Sequence, residues 1–361
     1  MTASSPLIAS GVSRVEFYDT IIVGAGQAGL AAGYHLAKRD ADFLIIDSAE
    51  HVGDSWRNRW DSLRLFTPAA YSGLPGMCFP AEPMYLPDKE EVADYLQRYA
   101  QRFELPVRGG TRIGALRREG DGYVLSAGRT TYQANSVIVA TGPFQRPRVP
   151  SFAAQLPRSI HQIHSSEYRN PFDLPSGSVL VVGVGNSGAQ IALELAASRR
   201  VWLSGRESGY LRRRFLGRDL FRWIWPLLTT LTTDTRIGRR LRSRSRKTDA
   251  LIGIPPSQLT DSGIIRLGKV TEIRDGVPYC EGEPVDPDVI IWATGFTPDY
   301  SWIQLPIFGA DGYPRHERGA VLDTPGLYFL GLRFQHRMTS SLIGGVGADA
   351  AYIADLITQS F

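Results

Sequence analysis

GAGQAG at 24–29 and GVGNSG at 183–188 are two glycine fingerprints of one form. Each is followed, 23 residues after its first glycine, by a charged side chain: Asp47 in the first case and Arg206 in the second. TIIV at 20–23 and VLVV at 179–182 precede them, short continuous apolar runs of the kind found in strands buried on both faces of a parallel sheet. Alanine- and leucine-rich stretches with helical spacing follow, at 30–38 and 189–197. Each fingerprint therefore belongs at a strand-to-helix turn, where three glycines serve three needs. Gly24 and Gly183 suit the tight turn, Gly26 and Gly185 let the backbone approach a pyrophosphate, and Gly29 and Gly188 let helix pack closely on strand. The pyrophosphate charge then meets the free N–H groups and the positive dipole end of the helix.

A second apolar strand, at 43–46, delivers Asp47, and another, at 201–203, delivers Arg206. A carboxylate there can bond the two ribose hydroxyls of an adenine nucleotide. An arginine suits a ribose carrying a 2′-phosphate, with Ser204 two residues earlier also in reach. The expected fold is α/β, with two dinucleotide-binding, Rossmann-like domains holding two different dinucleotides.

With 361 residues the chain has room for two domains, and 43% hydrophobic with 21% charged residues is the balance of a soluble globular protein. No apolar run reaches the length of a membrane helix, and residues 1–17 lack the basic start and apolar stretch of a secretory signal. A cytoplasmic protein is expected. The two cysteines, Cys78 and Cys280, form no CxxC pair, which excludes a redox-active dithiol and a thiolate zinc site. The six histidines show no metal-ligand spacing, so no metal is expected, and no GxSxG pattern points to a hydrolase. The chemistry must come from cofactors.

VIVATG at 137–142 and VIIWATG at 289–295 read as strands returning the chain to the first domain, one before the second fingerprint and one after it. This predicts an insertion: residues 1–157 and 286–361 form one discontinuous domain and residues 158–285 the inserted one. Proline-rich stretches at 143–150 and 284–287 would be the crossings. Residues 212–247 carry twelve Lys or Arg against two Asp, interrupted by the apolar run at 220–231. The favoured reading is a basic rim over the arginine-bearing nucleotide site. Contact with a membrane surface is the less favoured one, and no nucleic-acid fold signature accompanies the charge.

Taken together, these residues resemble the class B flavin-dependent monooxygenases, close to the bacterial flavin-containing monooxygenases. The likeness covers nearly the whole chain: GAGQAG with Asp47, residues 53–80 (GDSWRNRWDSLRLFTPAAYSGLPGMCFP), HSSEYR at 164–169, GVGNSG with Arg206, ATGF at 293–296, and SSLIGGVGADAAYIA from Ser340. The resemblance implies that the first fingerprint holds FAD in the discontinuous domain, through Gly24, Gly26, Gln27, Ala28, Gly29 and Asp47. Ser55, Trp56, Phe66 and Thr67 would lie along its ribityl and ring portions. It implies that the inserted domain holds NADPH, through Gly183, Gly185, Asn186, Ser187, Gly188, Ser204 and Arg206.

The chain departs from the family pattern in three places. In Phe-x-Gly-x-x-x-His-x-x-x-Phe/Tyr, His164 and Tyr168 match, while Arg158 and Ile160 stand at the Phe and Gly positions. Tyr168 also occupies the position where Baeyer-Villiger enzymes carry Trp, which favours heteroatom oxygenation, and His164 reads as a linker residue rather than an acid or base. The asparagine that many members place over the flavin corresponds to Pro68, which has no side-chain donor. The usual Gly-Asp near the ribityl chain is missing from TPGLYFLGL at 324–332. By resemblance, NADPH reduces FAD, O₂ adds at flavin C4a, and one oxygen passes to a soft nucleophile such as an amine or sulfide, or alternatively a ketone. The rival readings are an NADPH oxidase or reductase without dedicated oxygenation, and a flavin-binding regulatory module. Oligomeric state and substrate identity are not encoded in any of these motifs, and no catalytic residue announces itself.

Overall fold

The computed structural model describes residues 14–206, 209–245 and 250–359. The chain starts with β1 (Arg14–Val23), α1 (Gln27–Ala37) and β2 (Phe43–Ile46), then the short helix α2 (Asp54–Arg57), α3 (Lys89–Arg102) and β3 (Val107–Arg108). The hairpin β4 (Ala115–Glu119) and β5 (Gly122–Ala127) leads into β6 (Thr130–Val139). With the later strand Leu327–Phe329 these build a sheet whose parallel core runs Leu327–Phe329, β6, β1, β2, β3, and β4–β5 join β6 antiparallel.

A second sheet is parallel throughout, in the order Ile265–Leu267, β10 (Val201–Ser204), β9 (Val179–Val182), Val289–Trp292 and β8 (His161–His164). Helix α4 (Asn186–Ala196) joins β9 to β10. The final four residues of β1 and all of β2, β9 and Val289–Trp292 are fully buried, because helices and loops cover both faces. Ile22, Ile45 and Ile138 point into a core with α1 and the C-terminal helix Gly347–Gln359, while Ile21, Leu44, Val137 and Val139 point into the opposite one. Val179, Val181 and Ile291 face α4, and Leu180, Ile290 and Trp292 face away. Each such side chain contributes about 1.5–3 kcal/mol by burial, which is why these strands read as unbroken apolar runs rather than alternating ones.

The sequence reading of the second crossing needs correction. Val289–Trp292 is a central strand of the second sheet, with β9 on one side and β8 on the other, so the chain leaves that sheet after Trp292 rather than at 284–287. There VIIW is paired along both edges and buried on both faces, Val289 and Ile291 in one core and Ile290 and Trp292 in the other. The stretch that follows, Phe296–Thr297, pairs antiparallel with β7 (Arg146–Pro147), so the two connections between the sheets form one narrow ribbon. Arg146 and Asp299 reinforce it with an ion pair at 2.9 Å.

The basic segment starts near the second fingerprint, where Tyr210–Leu211 pairs with Leu251–Ile252 and Ile252 bonds Asn186, and then leaves it. After a hairpin of Arg214–Phe215 and Arg218–Asp219, helices α5 (Leu220–Thr230) and α6 (Arg236–Ser245) carry it across to the other sheet's loops. Phe221 and Trp225 pack on Phe66 and Tyr71, Thr233 N–H donates to His336 O at 2.9 Å, and Arg242 reaches His316. Residues 246 and 247 of the charged run lie outside the described residues.

Candidate functional site

Two cradles of matching geometry sit at the ends of β1 and β9. Gly24 has φ +112° and Gly183 φ +121°, and a Cβ on either would lie 2.5 Å from Ala140 O or 2.2 Å from Ala293 O, so only glycine fits. A Cβ on Gly29 or Gly188 would strike the carbonyl of Gly24 or Gly183 at 1.8 and 1.9 Å. At Gly26 and Gly185 a Cβ would meet nothing within 4 Å. These open positions are the N-caps of α1 and α4, and neither helix has a side-chain cap, so Gln27, Ala28, Ser187 and their neighbours present unfilled N–H groups to an anion. Asn186 is otherwise engaged: its carboxamide accepts from Ile252 N–H and donates to Ala250 O.

The two loops are pinned alike, with one shift. Gly24 N–H donates to Ile46 O at 2.7 Å, and Gly183 N–H to Ser204 O at 2.8 Å. The residue after Ile46 is Asp47, whose Oδ2 accepts from Ala25 N–H at 2.5 Å and Oδ1 from Ala49 N–H at 2.8 Å. The residue after Ser204 is Gly205, with φ +150°. In register, therefore, the counterpart of Asp47 is Gly205, and Arg206 is one residue beyond it, exposed. Glycine at the acidic position removes the charge that would repel a 2′-phosphate and leaves the approach open to Arg206. Ser204 does not share that approach. It is fully buried, its hydroxyl donating to Gly268 O at 2.6 Å with the Cys280 thiol beside it, so the sequence-based contact from Ser204 is corrected.

Residues 53–66 run between the two sheets. Trp56 packs against the cores of both, and Trp60 and Leu63 belong to the α4 side of the second. Asp88 caps α3, exchanging bonds with Glu91, and this places Lys89 at the first helical position with its side chain buried. The Lys89 ammonium donates to Arg57 O (3.2 Å), Arg59 O (2.9 Å) and Asp61 Oδ1 (2.7 Å), fixing the loop after α2. Lys89 holds the Asp61 carboxyl below its ordinary range, with help from Asn170. Asp61 also accepts from Asn170 at 2.9 Å, and its N–H donates to Arg169 O, so it joins this loop to the second sheet. Ser55 is exposed, and its carbonyl accepts from Arg59. The Arg59 guanidinium lies 5.4 Å from the ring centres of both Phe144 and Phe296, one on each connection. Burial lowers its pKa, Arg169 adding to the effect.

Phe66 stacks on Phe221, its carbonyl taken by Arg213, which also pairs with Asp219 at 2.6 Å. Thr67 is buried against Ser72, hydroxyl to hydroxyl at 3.1 Å. His164 bonds Gly295 O at 3.0 Å and Ser166 at 2.8 Å, and lies edge-on to Phe296. Burial lowers its pKa, keeping it neutral, and its partners are those of a linker residue. Tyr168 is buried, donating to Glu194 at 2.8 Å, which adds to burial in raising its pKa. Lys89, Arg59 and Arg213 were missed by motif reading. Lys89 alone left a signal, a lysine in the first turn of a helix against the dipole.

Residues 21–238 match the model of the family described as pyridine nucleotide-disulphide oxidoreductase. The chain is 43% identical to an uncharacterized CzcO-like oxidoreductase of Geobacillus kaustophilus, covering 93% of this chain and 97% of the relative. It is 30% identical to the indole-3-pyruvate monooxygenase YUCCA4 of rice, covering 96% and 88%. Among solved structures it resembles a flavin-containing monooxygenase from Stenotrophomonas maltophilia, with TM-score 0.78, 26% identity, and 96% and 99% of the chains covered. Cys78 and Cys280 are both free, one exposed and one buried, so the dithiol in the family's name has no counterpart here. The chain belongs to the pyridine nucleotide-disulphide oxidoreductase family and is an FAD- and pyridine-nucleotide-dependent oxidoreductase of the class B flavin monooxygenase type.

Proposed function

We propose that the protein is an NADPH-dependent monooxygenase acting on a soft nucleophile, an amine or sulfide, with NADPH + H⁺ + O₂ + S giving NADP⁺ + H₂O + SO. The observation that carries this reading is the pair of matched glycine cradles with unlike second-strand ends, Asp47 at one and Gly205-Arg206 at the other. Both fit a dinucleotide, since each has an uncapped helix N-terminus and an open glycine where a pyrophosphate would approach. Gly24, Gly26, Gln27, Ala28, Gly29 and Asp47 would hold the ADP half of FAD, and Gly183, Gly185, Ser187, Gly188 and Arg206 that of NADPH. This makes the first sheet the FAD domain and the second, with its strands between His161 and Trp292, the inserted NADPH domain.

When bound, FAD supplies the electron transfer from NADPH and the reaction with O₂. The chain's own residues position and shield. Trp56 and the residues 53–66 held by Lys89 occupy the seam between the sheets, while α5, through Phe221 and Trp225, covers part of Phe66 and Tyr71. His164 and Tyr168 are occupied by Gly295, Ser166 and Glu194, which supports leaving them without a proton-transfer role. Tyr168 in place of the Baeyer-Villiger Trp supports heteroatom over ketone oxygenation.

A second reading, NADPH oxidase activity, is favoured by Pro68: its carbonyl is taken by Tyr71 N–H and Ser72 Oγ, and it offers no donor. The test is a balance sheet of NADPH consumed, hydrogen peroxide formed and oxygenated product formed, with an aryl methyl sulfide, a tertiary amine and a cyclic ketone. Sulfoxide or N-oxide accounting for a substantial share of the NADPH supports the monooxygenase. Peroxide equal to NADPH with every compound replaces it with the oxidase.

A further inference from the structure

The bridge formed by residues 209–245 has two unlike faces. Its inner face is fully engaged: Phe221 is buried against Phe66 and Tyr71, Arg213 binds Phe66 O, and Thr232 pairs with Arg337. Of its two acids, Asp219 turns inward to Arg213 and the α5 N-terminus, while Asp234 bonds His336 at 3.0 Å and keeps most of its side chain exposed. The outer face is apolar and cationic together. Leu216 is 77% exposed at the hairpin tip beside exposed Phe215, and Trp223 (48%) and Leu227 (54%), four residues apart, form the outward stripe of α5. Arg212, Arg214, Arg218, Arg222 and Arg236 are exposed around them. The hairpin turn has positive φ at both Leu216 (+50°) and Gly217 (+73°), a geometry that favours Asn-Gly. A leucine held in that turn position and exposed at the tip would gain the free energy of burial if an apolar medium received it.

We propose that this face docks on an anionic phospholipid bilayer, with Phe215, Leu216, Trp223 and Leu227 entering the interface and the surrounding arginines meeting lipid phosphates. With Asp219 drawn inward and Asp234 the one exposed acid beside these five exposed arginines, the surface is strongly positive, which complements an anionic membrane and disfavours a second copy of itself. A nucleic acid would satisfy the arginines but leave Leu216 and Leu227 in water. The contact is interfacial, since α5 has 11 residues and no helix among the described residues is long and apolar enough to cross a membrane. Because the inner face of α5 rests on Phe66 and Tyr71, the bilayer would lie directly over the candidate site.

The experiment is co-sedimentation of the holoenzyme with vesicles of phosphatidylcholine alone or mixed equally with phosphatidylglycerol. Binding at least about tenfold tighter to the anionic vesicles is expected, weakening as salt is raised. The double variant Leu216→Ser/Trp223→Ser should lose about tenfold in vesicle binding, with FAD content and NADPH oxidation in solution unchanged. If that variant loses FAD, Leu216→Asn, which suits the turn, takes its place, with weaker vesicle binding expected. Equal binding to both vesicle types, undiminished binding by an intact variant, or preference for duplex DNA over anionic vesicles each overturns the proposal.

Discussion

The backbone N–H of Ala25 donates to Asp47 Oδ2 at 2.5 Å, so the carboxylate that ends β2 also braces the first glycine loop. It therefore holds the loop in shape before any ribose arrives. Asp47→Ala removes both the brace and the acceptor for ribose hydroxyls, a loss of roughly 1–3 kcal/mol. FAD affinity should fall by about tenfold or more, read as FAD per chain after gel filtration and in reconstitution titrations. Full FAD retention in that variant would remove Asp47 from the site.

Gly205 and Arg206 divide between them the work that Asp47 does alone. With no acid at 205 and a guanidinium at 206, NADPH should be preferred over NADH by about ten- to hundredfold in kcat/KM, from a charge-assisted contact of about 1.5–3 kcal/mol. Arg206→Gln should erase most of this by raising KM for NADPH while leaving NADH turnover nearly unchanged. Equal losses with both cofactors, at one fixed salt concentration, would make Arg206 a structural residue.

Lys89 and Asp61 provide a pH signature. Because Lys89 holds the Asp61 carboxyl below its unfolded value of about 3.9, the folded state binds fewer protons there. Asp61 thus contributes stability above that value, lost as pH falls through the lower folded pKa. Asp61→Asn should lower Tm by a constant amount between about pH 5 and 8, the gap closing below about pH 4 as the wild type loses the same interaction. Lys89→Met, which strands the Arg57 and Arg59 carbonyls, should cost about 1–3 kcal/mol and loosen FAD as well. A Tm gap that widens toward low pH would reverse the assignment.

Both cradles were legible because each is local: strand, three glycines and helix within about twenty residues, where steric need maps directly onto residue type. The offset at Gly205 was not, since counting along the chain ignores that β2 ends one residue later than β10 relative to its fingerprint. VIIWATG repeats the form of VIVATG, yet its strand lies in the other sheet, a choice made by neighbours far away in sequence. In the basic run, charge was visible and direction was not. Only packing of Phe221 on Phe66 turns Arg213 and Asp219 inward and leaves Arg212, Arg214, Arg218 and Arg222 on the surface.

On the proposed function, Pro68 is the position where coupling of oxygenation to NADPH use is tested. It has φ −62° and ψ 158°, an extended conformation that asparagine adopts freely, and it caps the three-residue turn Ala69–Tyr71. The nearby hydroxyls of Thr67 and Ser72 bond each other, which occupies both. Pro68→Asn restores the family's carboxamide at a position where it should fold without strain. One added hydrogen bond of about 1.5 kcal/mol to the reacting centre corresponds to about a tenfold change in rate. The fraction of NADPH electrons recovered as hydrogen peroxide should therefore fall by up to about tenfold, with oxygenated product rising to match. Unchanged leakage in a variant with full FAD content and wild-type Tm would mean that residue 68 does not face the reacting ring.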